Sequence, residues 1–187
     1  MSKKFELTSN FKVFLGRKLF QIRALTSFGD VKEGDLGGYI EKEENLSHDG
    51  DAWVSGNAKV YGNAKVCDNA RVYGDAEVYG NAWVYGNAKV CGNAEVCSNA
   101  WVSGNAEVYG DAWVYGNANY TTVKGFGTEF RTTTFFRCKD GAVRVKCGCF
   151  YGDLSEFRKQ VKNTRSGKIA EEYLMIADLM EKHFKEE

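Results

Sequence analysis

The side chains of this sequence with the clearest capacity for recognition are aromatic and basic. Trp and Tyr rings anchor protein interfaces and stack on flat groups such as nucleobases, whereas Arg and Lys contact phosphate groups. Such Arg and Lys residues also fit an ordinary strand face that is exposed to solvent. The candidate ligand- or partner-binding residues are Tyr79, Trp83, Trp101 and Tyr115 in the middle of the chain, and Arg131, Arg137, Arg144 and Lys146 after it.

Catalytic chemistry finds little support in the residue types. The 187 residues include two His, His48 and His183, and no Ser-His-Asp arrangement, Cys-His arrangement or acid/base carboxylate pair stands out. Cys147 and Cys149 form a CxC pair after Cys138, but zinc sites usually show CxxC pairs or added His. We therefore predict a protein that is not an enzyme, has no catalytic residues, cofactor or metal, and uses its Cys residues as small strand residues.

Charge and hydropathy narrow the class of partner. The 25 Lys and Arg residues balance 25 Asp and Glu residues, which argues against a protein that coats long nucleic acids or an anionic membrane. No segment approaches the ~18 apolar residues of a membrane span, and Met1–Asn10 contains no apolar signal-peptide core. The sequence therefore predicts a soluble cytoplasmic protein.

An uninterrupted six-residue repeat occupies the centre of the chain. Residues 54–119 form eleven consecutive hexads, with Val at position one and Ala at position five of every hexad. Position three is Gly in nine hexads, with Asp68 and Ser98 as the exceptions, and position four is Asn or Asp. Positions two and six vary, and they carry the aromatic rings.

This period predicts strands rather than a helix. Six residues at ~100° each leave successive Val residues about 240° apart around a helix, so no apolar stripe forms. In a strand, an even period keeps every Val and Ala on one side and positions two, four and six on the other. Gly-Asn tolerates positive φ and permits a corner in every hexad. The repeat therefore predicts a mainly β protein, a parallel β-solenoid with an apolar interior.

The hexads resemble the left-handed β-helix of hexapeptide-repeat proteins, in which three hexads form one triangular coil. This resemblance implies the left hand of the solenoid and a homo-oligomer, with a trimer favoured. It also implies that the enzymes on this solenoid, acyltransferases and a carbonic anhydrase, depend on His residues, and the hexads contain none.

Stacking of coils places residues 18 apart next to each other. On this basis, one face is expected to concentrate the rings of Tyr61, Tyr79, Tyr115, Trp83 and Trp101. Three interpretations stay open: the rings stiffen the coils as ladders, they bury against copies of the same protein, or they stack on a flat ligand.

The flanks of the solenoid are predicted to differ from it. The bare sheet edge at a solenoid end needs a cover, so residues 1–39 are interpreted as an N-terminal cap in which 34–39 reverse the chain. The solenoid is assigned to residues 40–119, and a C-terminal α+β domain to residues 120–187. A less regular first coil is expected before Val54, with His48 either in a Val position or at a capping turn.

The C-terminal domain is predicted to contain a β-hairpin and two helices. Alternation in Val143–Cys149 after a Lys-Asp-Gly turn predicts a hairpin with Thr132–Cys138. Asp153 and Glu156 form a capping box before the first helix, which an Arg-Ser-Gly sequence ends. The apolar stripe of the second helix can dock on the hairpin or on another protomer.

Three segments together resemble small hexapeptide-repeat proteins of bacteriophages and prophages, which are often labelled polymer-forming cytoskeletal-like. They are GDLGGYIEKEENL (Gly34–Leu46), the Tyr-Gly-Asn-Ala repeats, and RVKCGCFYGDLSEF (Arg144–Phe157). The resemblance implies a phage setting but no shared activity. It leads us to predict an oligomeric binding protein that counteracts host defence, either by sequestering a nucleotide-type ligand or by occluding a host protein. A structural or virion component is the alternative, and an acyltransferase-like enzyme is third.

Overall fold

A computed structural model describes residues 3–185 of the chain. Residues 1–2 and 186–187, at the ends of the predicted cap and C-terminal domain, lie outside the described residues. The chain begins with an antiparallel hairpin of β1 (Phe5–Phe14) and β2 (Arg17–Ala24), and β2 pairs antiparallel with β3 (Leu36–Ile40). The predicted N-terminal cap is therefore a β-hairpin joined to the first strand of the solenoid.

The predicted chain reversal at residues 34–39 is wrong from Leu36 onward, because that segment is strand β3. Its Gly37 allows a close approach, since a Cβ there would lie 2.6 Å from the Val54 carbonyl oxygen. β3 runs parallel to the following coil, with Ile40 opposite Val60. This strand spans the boundary predicted between cap and solenoid.

Each hexad begins with a two-residue strand, which consists of the residue before the hexad and the Val at position one. The turn residues between these strands form the corners. The strands are β4 (Trp53–Val54), β5 (Lys59–Val60), β6 (Lys65–Val66), β7 (Arg71–Val72), β8 (Glu77–Val78), β9 (Trp83–Val84), β10 (Lys89–Val90), β11 (Glu95–Val96), β12 (Trp101–Val102), β13 (Glu107–Val108) and β14 (Trp113–Val114).

These strands stack into three parallel sheets, the faces of a solenoid of about four coils. The first face contains β5, β8, β11 and β14 and continues through β3 into the N-terminal hairpin. The second face contains β6, β9 and β12, and the third contains β4, β7, β10 and β13. Paired residues lie 18 apart, as for Lys59 and Glu77. The predicted mainly β fold and its coil register are confirmed.

The interior is a dry column of Val and Ala. All eleven hexad Val side chains are completely buried, as are the Ala side chains of the first ten hexads. Ala118 is exposed because the last hexad leaves the column as a 3-10 turn, Asn117–Asn119. Burial of this continuous apolar surface is the main force that holds the coils together.

The corners require a positive φ, a backbone conformation that residues other than Gly rarely adopt. Position three has φ near +70° in most hexads, and the two non-Gly residues there, Asp68 and Ser98, also adopt positive φ, +58° and +56°. The Asp68 carboxylate compensates by accepting a hydrogen bond from the Gly86 N–H of the next coil at 2.9 Å. Position-four amides add a ladder along the corners, in which Asn63 donates to Asn81 and Asn81 to Asn99.

The first coil is two residues longer than the others. Ile40 pairs with Val60 and Leu46 bridges to Val66, an offset of 20 residues, whereas Val54 pairs with Val72 at an offset of 18. The additional residues lie in the corner between Leu46 and Val54. His48 therefore lies at a capping turn rather than in a Val position of the interior.

The N-terminal residues close the lower end of the column. Phe5 is completely buried in the solenoid core and stacks on the His48 ring at 4.3 Å. The Lys4 ammonium donates to the carbonyl oxygens of Gly50 and Ala52 at 3.1 and 3.0 Å. Burial lowers the pKa of Lys4 to about 8.

The C-terminal domain begins with a four-stranded antiparallel sheet. Its strands are β15 (Tyr120–Val123), β16 (Thr133–Arg137), β17 (Val143–Cys147) and β18 (Phe150–Asp153), in that order. The predicted hairpin is the β16–β17 pair. Two helices follow, α1 (Leu154–Thr164) and α2 (Gly167–His183).

The helices pack on one side of this sheet. The predicted capping box is present, because Asp153 accepts from the Glu156 N–H at 2.8 Å and Glu156 accepts from the Asp153 N–H at 2.9 Å. Of the two arrangements open for the second helix, the structure has the one in which it docks within the chain. Its apolar stripe shares a core with Phe135 and Val145 of the sheet.

The other side of the C-terminal sheet closes the upper end of the solenoid. Phe136 and Cys138 belong to the same buried core as the Val and Ala column. Thr134 accepts a hydrogen bond from the Glu107 N–H at 3.0 Å, and the Lys139 N–H donates to the Asp111 carbonyl at 3.2 Å. Both ends of the column are thus covered by β-structure of the same chain.

We predict that Gly92→Ala destabilises the protein by about 1–2 kcal/mol more than Gly104→Ala. Both residues have positive φ, so both variants carry the same backbone strain. A Cβ at Gly92 would lie 2.8 Å from the Gly110 nitrogen of the next coil, whereas a Cβ at Gly104 meets nothing within 4 Å. Chemical denaturation of both variants measures the difference, and equal losses would contradict tight stacking at this corner.

We also predict that stability depends on pH through Lys4. Because its folded pKa of about 8 lies below the ordinary value of 10.5, the unfolded chain binds more protons between these values and stability rises with pH there. Relative to Lys4→Met, the wild-type protein should gain on the order of 1 kcal/mol between about pH 7 and about pH 9.5. A difference in unfolding free energy that stays constant over this range would refute the assignment.

Candidate ligand-binding surfaces

The second face carries a stacked pair of Trp rings. The Trp83 and Trp101 centroids lie 5.7 Å apart with planes inclined by 22°, and the residues are 38% and 50% exposed. The Lys65 ammonium lies 5.1 Å from the Trp83 ring centroid, which is a cation–π contact. Trp83 therefore has Trp101 on one ring face and Lys65 near the other, whereas Trp101 also borders a pocket with Tyr85 and Tyr120.

The Tyr rings of the predicted aromatic strip lie on a different face. Tyr61 and Tyr79 stack at 5.1 Å with nearly parallel planes, and their hydroxyls donate to Glu77 and Glu95 at 3.1 and 2.9 Å. Both carboxylates belong to the first face. The expected single strip is therefore wrong, because each Tyr turns back toward the carboxylate of its own face in the next coil.

Coverage further reduces the exposed part of the Tyr set. Tyr61 is buried, with Phe14 of the N-terminal hairpin packed edge-on at 5.9 Å. Tyr115 lies at the upper end of the first face, where it packs against Trp113 at 4.6 Å and remains exposed. Of the four predicted aromatic site residues, Trp83 and Trp101 are together, while Tyr79 and Tyr115 lie on the first face.

Glu95 links the first face to the C-terminal domain. Burial opposes its ionisation, but hydrogen bonds from Lys139 and Tyr79 outweigh this effect and hold its pKa below the usual range. The Lys139 ammonium lies 2.7 Å from the Glu95 carboxylate. This charged contact reinforces the attachment of the β16–β17 turn to the column.

Two of the four predicted basic residues face the solenoid rather than a ligand. Arg144 donates to Asp140 at 2.8 Å. Lys146 donates to the Gly148 carbonyl and lies 3.9 Å from Glu107. Strand register places both side chains on the side of the sheet that faces the solenoid. Lys146 there approaches the last coil, whereas the partner of Arg144 lies in the β16–β17 turn.

The other two basic residues lie elsewhere. Arg137 donates to the Phe184 carbonyl at 2.7 Å and so binds the C-terminal end of α2. Arg131 is half exposed, lies beside Glu129 at 3.8 Å and reaches the β17–β18 turn. The predicted phosphate contact by all four residues together is therefore not supported. Strand register places Arg137 on the side of the sheet opposite the first two residues, and Arg131 lies in the loop before β16.

Arg131 lines a cleft at the edge of the C-terminal domain. The cleft has a volume of about 130 Å³ and lies between the loop before β16, the β17–β18 turn and the facing ends of the two helices. Its apolar floor consists of Phe150, Phe157, Val161 and Tyr173, and its polar rim includes Thr128, Glu129, Arg131, Gln160, Thr164 and Arg165.

Aromatic packing and a loop contact fix the shape of this cleft. Phe157 packs edge-on against Tyr173 at 5.8 Å and contacts Phe150 at 5.5 Å. The Tyr173 hydroxyl donates to the Phe126 carbonyl at 3.2 Å, which holds the loop over the floor. Gly127 permits this approach, since a Cβ there would lie 2.5 Å from the Tyr173 hydroxyl.

The positive charges of two guanidinium groups affect the ionisation of Tyr173 in the cleft floor. Burial raises the pKa of Tyr173, while the positive charges of Arg165 and Arg131 oppose the shift. The sequence predicted Arg131 as a site residue, whereas Arg165 was predicted only as part of the Arg-Ser-Gly sequence that ends α1. The sequence signal for Arg165 was its position between the two predicted helices.

The Cys residues divide by exposure. All six are free thiols: Cys91, Cys97 and Cys138 are buried, Cys67 and Cys147 are half-buried, and Cys149 is exposed. Burial raises the pKa of Cys138 to about 11. Only Cys147 lies within a strand, so the expectation of strand residues is confirmed for it alone. Cys67, Cys91, Cys97 and Cys138 directly follow a strand, and Cys149 lies in the β17–β18 turn and lines the cleft.

His48 already uses both ring nitrogens. Its Nδ1 accepts from the Lys4 N–H at 3.1 Å, and its Nε2 lies 2.7 Å from Glu43. Together with the stacking on Phe5, these contacts give His48 a role in holding the lower corner. Within residues 3–185, no group of three or more His, Cys, Asp or Glu side chains is arranged to hold a metal ion.

Comparison with known proteins leaves the family open. No protein-family model matches the chain, and no curated protein matches it. Across the described part of the chain, no helix is both long and apolar enough to cross a membrane. Function must therefore be inferred from the side chains and surfaces of the molecule itself.

We predict that the native protein contains one fast-reacting thiol, Cys149. Reactivity requires access of the reagent to the sulfur, and the other five thiols are buried or half-buried. Titration of the folded protein with a chromogenic disulfide reagent should show one rapid equivalent, and Cys149→Ser should remove it. A rapid equivalent that persists in this variant would place the accessible thiol elsewhere.

Proposed function

We propose that this chain is a non-catalytic, oligomeric binding protein. In this proposal the solenoid is a rigid assembly surface, and the C-terminal α+β domain carries recognition. The observation that supports assembly is the stacked, half-exposed Trp83–Trp101 pair on the second face. Trp residues are favoured anchors of protein interfaces, and a contiguous exposed apolar surface is typical of an interaction site.

The hexad pattern supports a closed homo-oligomer. The resemblance of the repeats to hexapeptide-repeat solenoids favours a trimer. A trimer built from side-by-side columns would cover the exposed surface of both Trp rings. The contacts of His48 support the non-catalytic part of the proposal, because its two ring nitrogens are engaged by Lys4 and Glu43.

The biological setting is inferred from the resemblance to small phage and prophage proteins. We place the protein in the cytoplasm of a host cell, where it would counteract a defence system. It would do so by sequestering a nucleotide-type ligand or by occluding a host protein. Calorimetry of the intact oligomer with a nucleotide panel tests the first route, and the absence of any binding heat would remove it.

Assembly through the second face predicts a specific loss in Trp101→Ala. The native mass should be a small multiple of 20.9 kDa, and the variant should dissociate at least about 30-fold more readily. Light scattering during size-exclusion chromatography measures this shift. Trp113→Ala is the matched control, because Trp113 is 39% exposed on the first face.

Three results would contradict this proposal. A wild-type monomer at all concentrations would exclude assembly, and an unchanged mass of the folded Trp101→Ala variant would exclude the second face. A mass that grows without limit as concentration rises would favour the structural scaffold instead of a closed oligomer. Circular dichroism establishes that the variants remain folded.

A further inference from the structure

The cleft of the C-terminal domain combines features that a ligand site needs. It is concave, its floor is aromatic and aliphatic, and polar side chains converge at its rim. These features come from three separate segments: the loop before β16, the β17–β18 turn, and the facing ends of α1 and α2. We propose that this cleft binds a small organic anion that carries one planar apolar ring, such as an aryl phosphate or an aryl carboxylate.

The charge of the rim supports an anionic ligand. Arg131 and Arg165 both line the cleft, against the single carboxylate of Glu129. Arg131 is half exposed and lies 3.8 Å from Glu129, so this contact is loose. The planar fork of a guanidinium binds phosphate and carboxylate groups with two parallel hydrogen bonds. Both guanidinium groups line the same cleft, so each can contact an anion bound there.

The floor supports an apolar ring on the same ligand. Phe150, Phe157 and Tyr173 pack against one another with edge-on or tilted geometry, and all three line the cleft, so an aromatic group that enters it contacts aromatic side chains. The cavity volume of about 130 Å³ is close to that of cavities that hold a benzene-sized group. A single ring fits this space, whereas a purine nucleotide would extend out of it.

This inference rests on the proposal that the C-terminal domain is the recognition element, but it does not depend on assembly of the solenoid. If the cleft binds its ligand and Trp101→Ala leaves the mass unchanged, assembly through the second face fails and the ligand site stands. If the mass shifts as expected and no ligand binds, the ligand site fails and the assembly stands.

Calorimetry of the intact protein with phenyl phosphate and benzoate tests the site. We expect saturable binding of at least one of these probes, and weaker binding of inorganic phosphate and phenol, which each carry half of the required chemistry. Arg165→Gln and Arg131→Gln should each weaken binding at least about tenfold. Lys162→Gln is the matched control, because it removes the same charge from an exposed position of α1 outside the cleft.

A second readout uses the thiol that lines the cleft. At a concentration near the wild-type dissociation constant, phenyl phosphate or benzoate should slow the reaction of Cys149 with a thiol reagent in the wild-type protein and in Lys162→Gln, and much less in Arg165→Gln. Absence of both binding heat and thiol protection up to millimolar probe would overturn the site. If inorganic phosphate binds as tightly as phenyl phosphate, the proposed contact of the ligand with the apolar floor is wrong. If Lys162→Gln and Arg165→Gln lose the same binding affinity, the assignment of Arg165 to the binding site is wrong.

Discussion

A column filled only by Val and Ala side chains is the constraint on which this structure depends. Backbone N–H groups at positions two, four and six of the hexads donate to carbonyls of the next coil, as from Ser55 to Val72 and from Lys59 to Ala76. These hydrogen bonds and the burial of a continuous apolar interior hold the coils together. Such an interior exposes its last layer unless something covers it. Here the N-terminal hairpin with Phe5 covers one end, and the C-terminal sheet with Phe136 covers the other.

This second cover determines which surfaces remain for recognition. The side of the C-terminal sheet that faces the column packs against it, and Arg144 and Lys146 lie on that side. The opposite side is filled by the two helices. What remains is the edge, where the β17–β18 turn, the preceding loop and the helix ends leave the cleft lined by Arg131 and Arg165.

The regular part of the fold could be predicted from the sequence because its information is local and repeated. The residue types of each hexad predict its corner and its buried Val and Ala. The six-residue period predicts that each residue stacks on the residue 18 positions away. The capping box of Asp153 and Glu156 is equally local. The greater length of the first coil was harder to predict, because the residues around His48 fit the hexad pattern although their corner contains two additional residues.

Side-chain direction and the cleft required the three-dimensional structure. Whether Tyr79 turns to the first or the second face depends on Glu95, which is 16 residues away and offers a hydrogen bond. The cleft combines Arg131, Cys149 and Arg165, and none of these is distinctive in its own segment. Sequence alternation alone does not reveal that Arg137 and Arg144 lie on opposite sides of a sheet, because strand register decides it.

The covers at the two ends also limit how copies of this chain can come together. A parallel coil with open edges is a template on which another column can continue, and uncontrolled continuation produces fibres. Within residues 3–185, the antiparallel N-terminal hairpin extends the first face at one end, and the antiparallel C-terminal sheet packs over the last coil at the other. These covers oppose continuation of the coils along the axis.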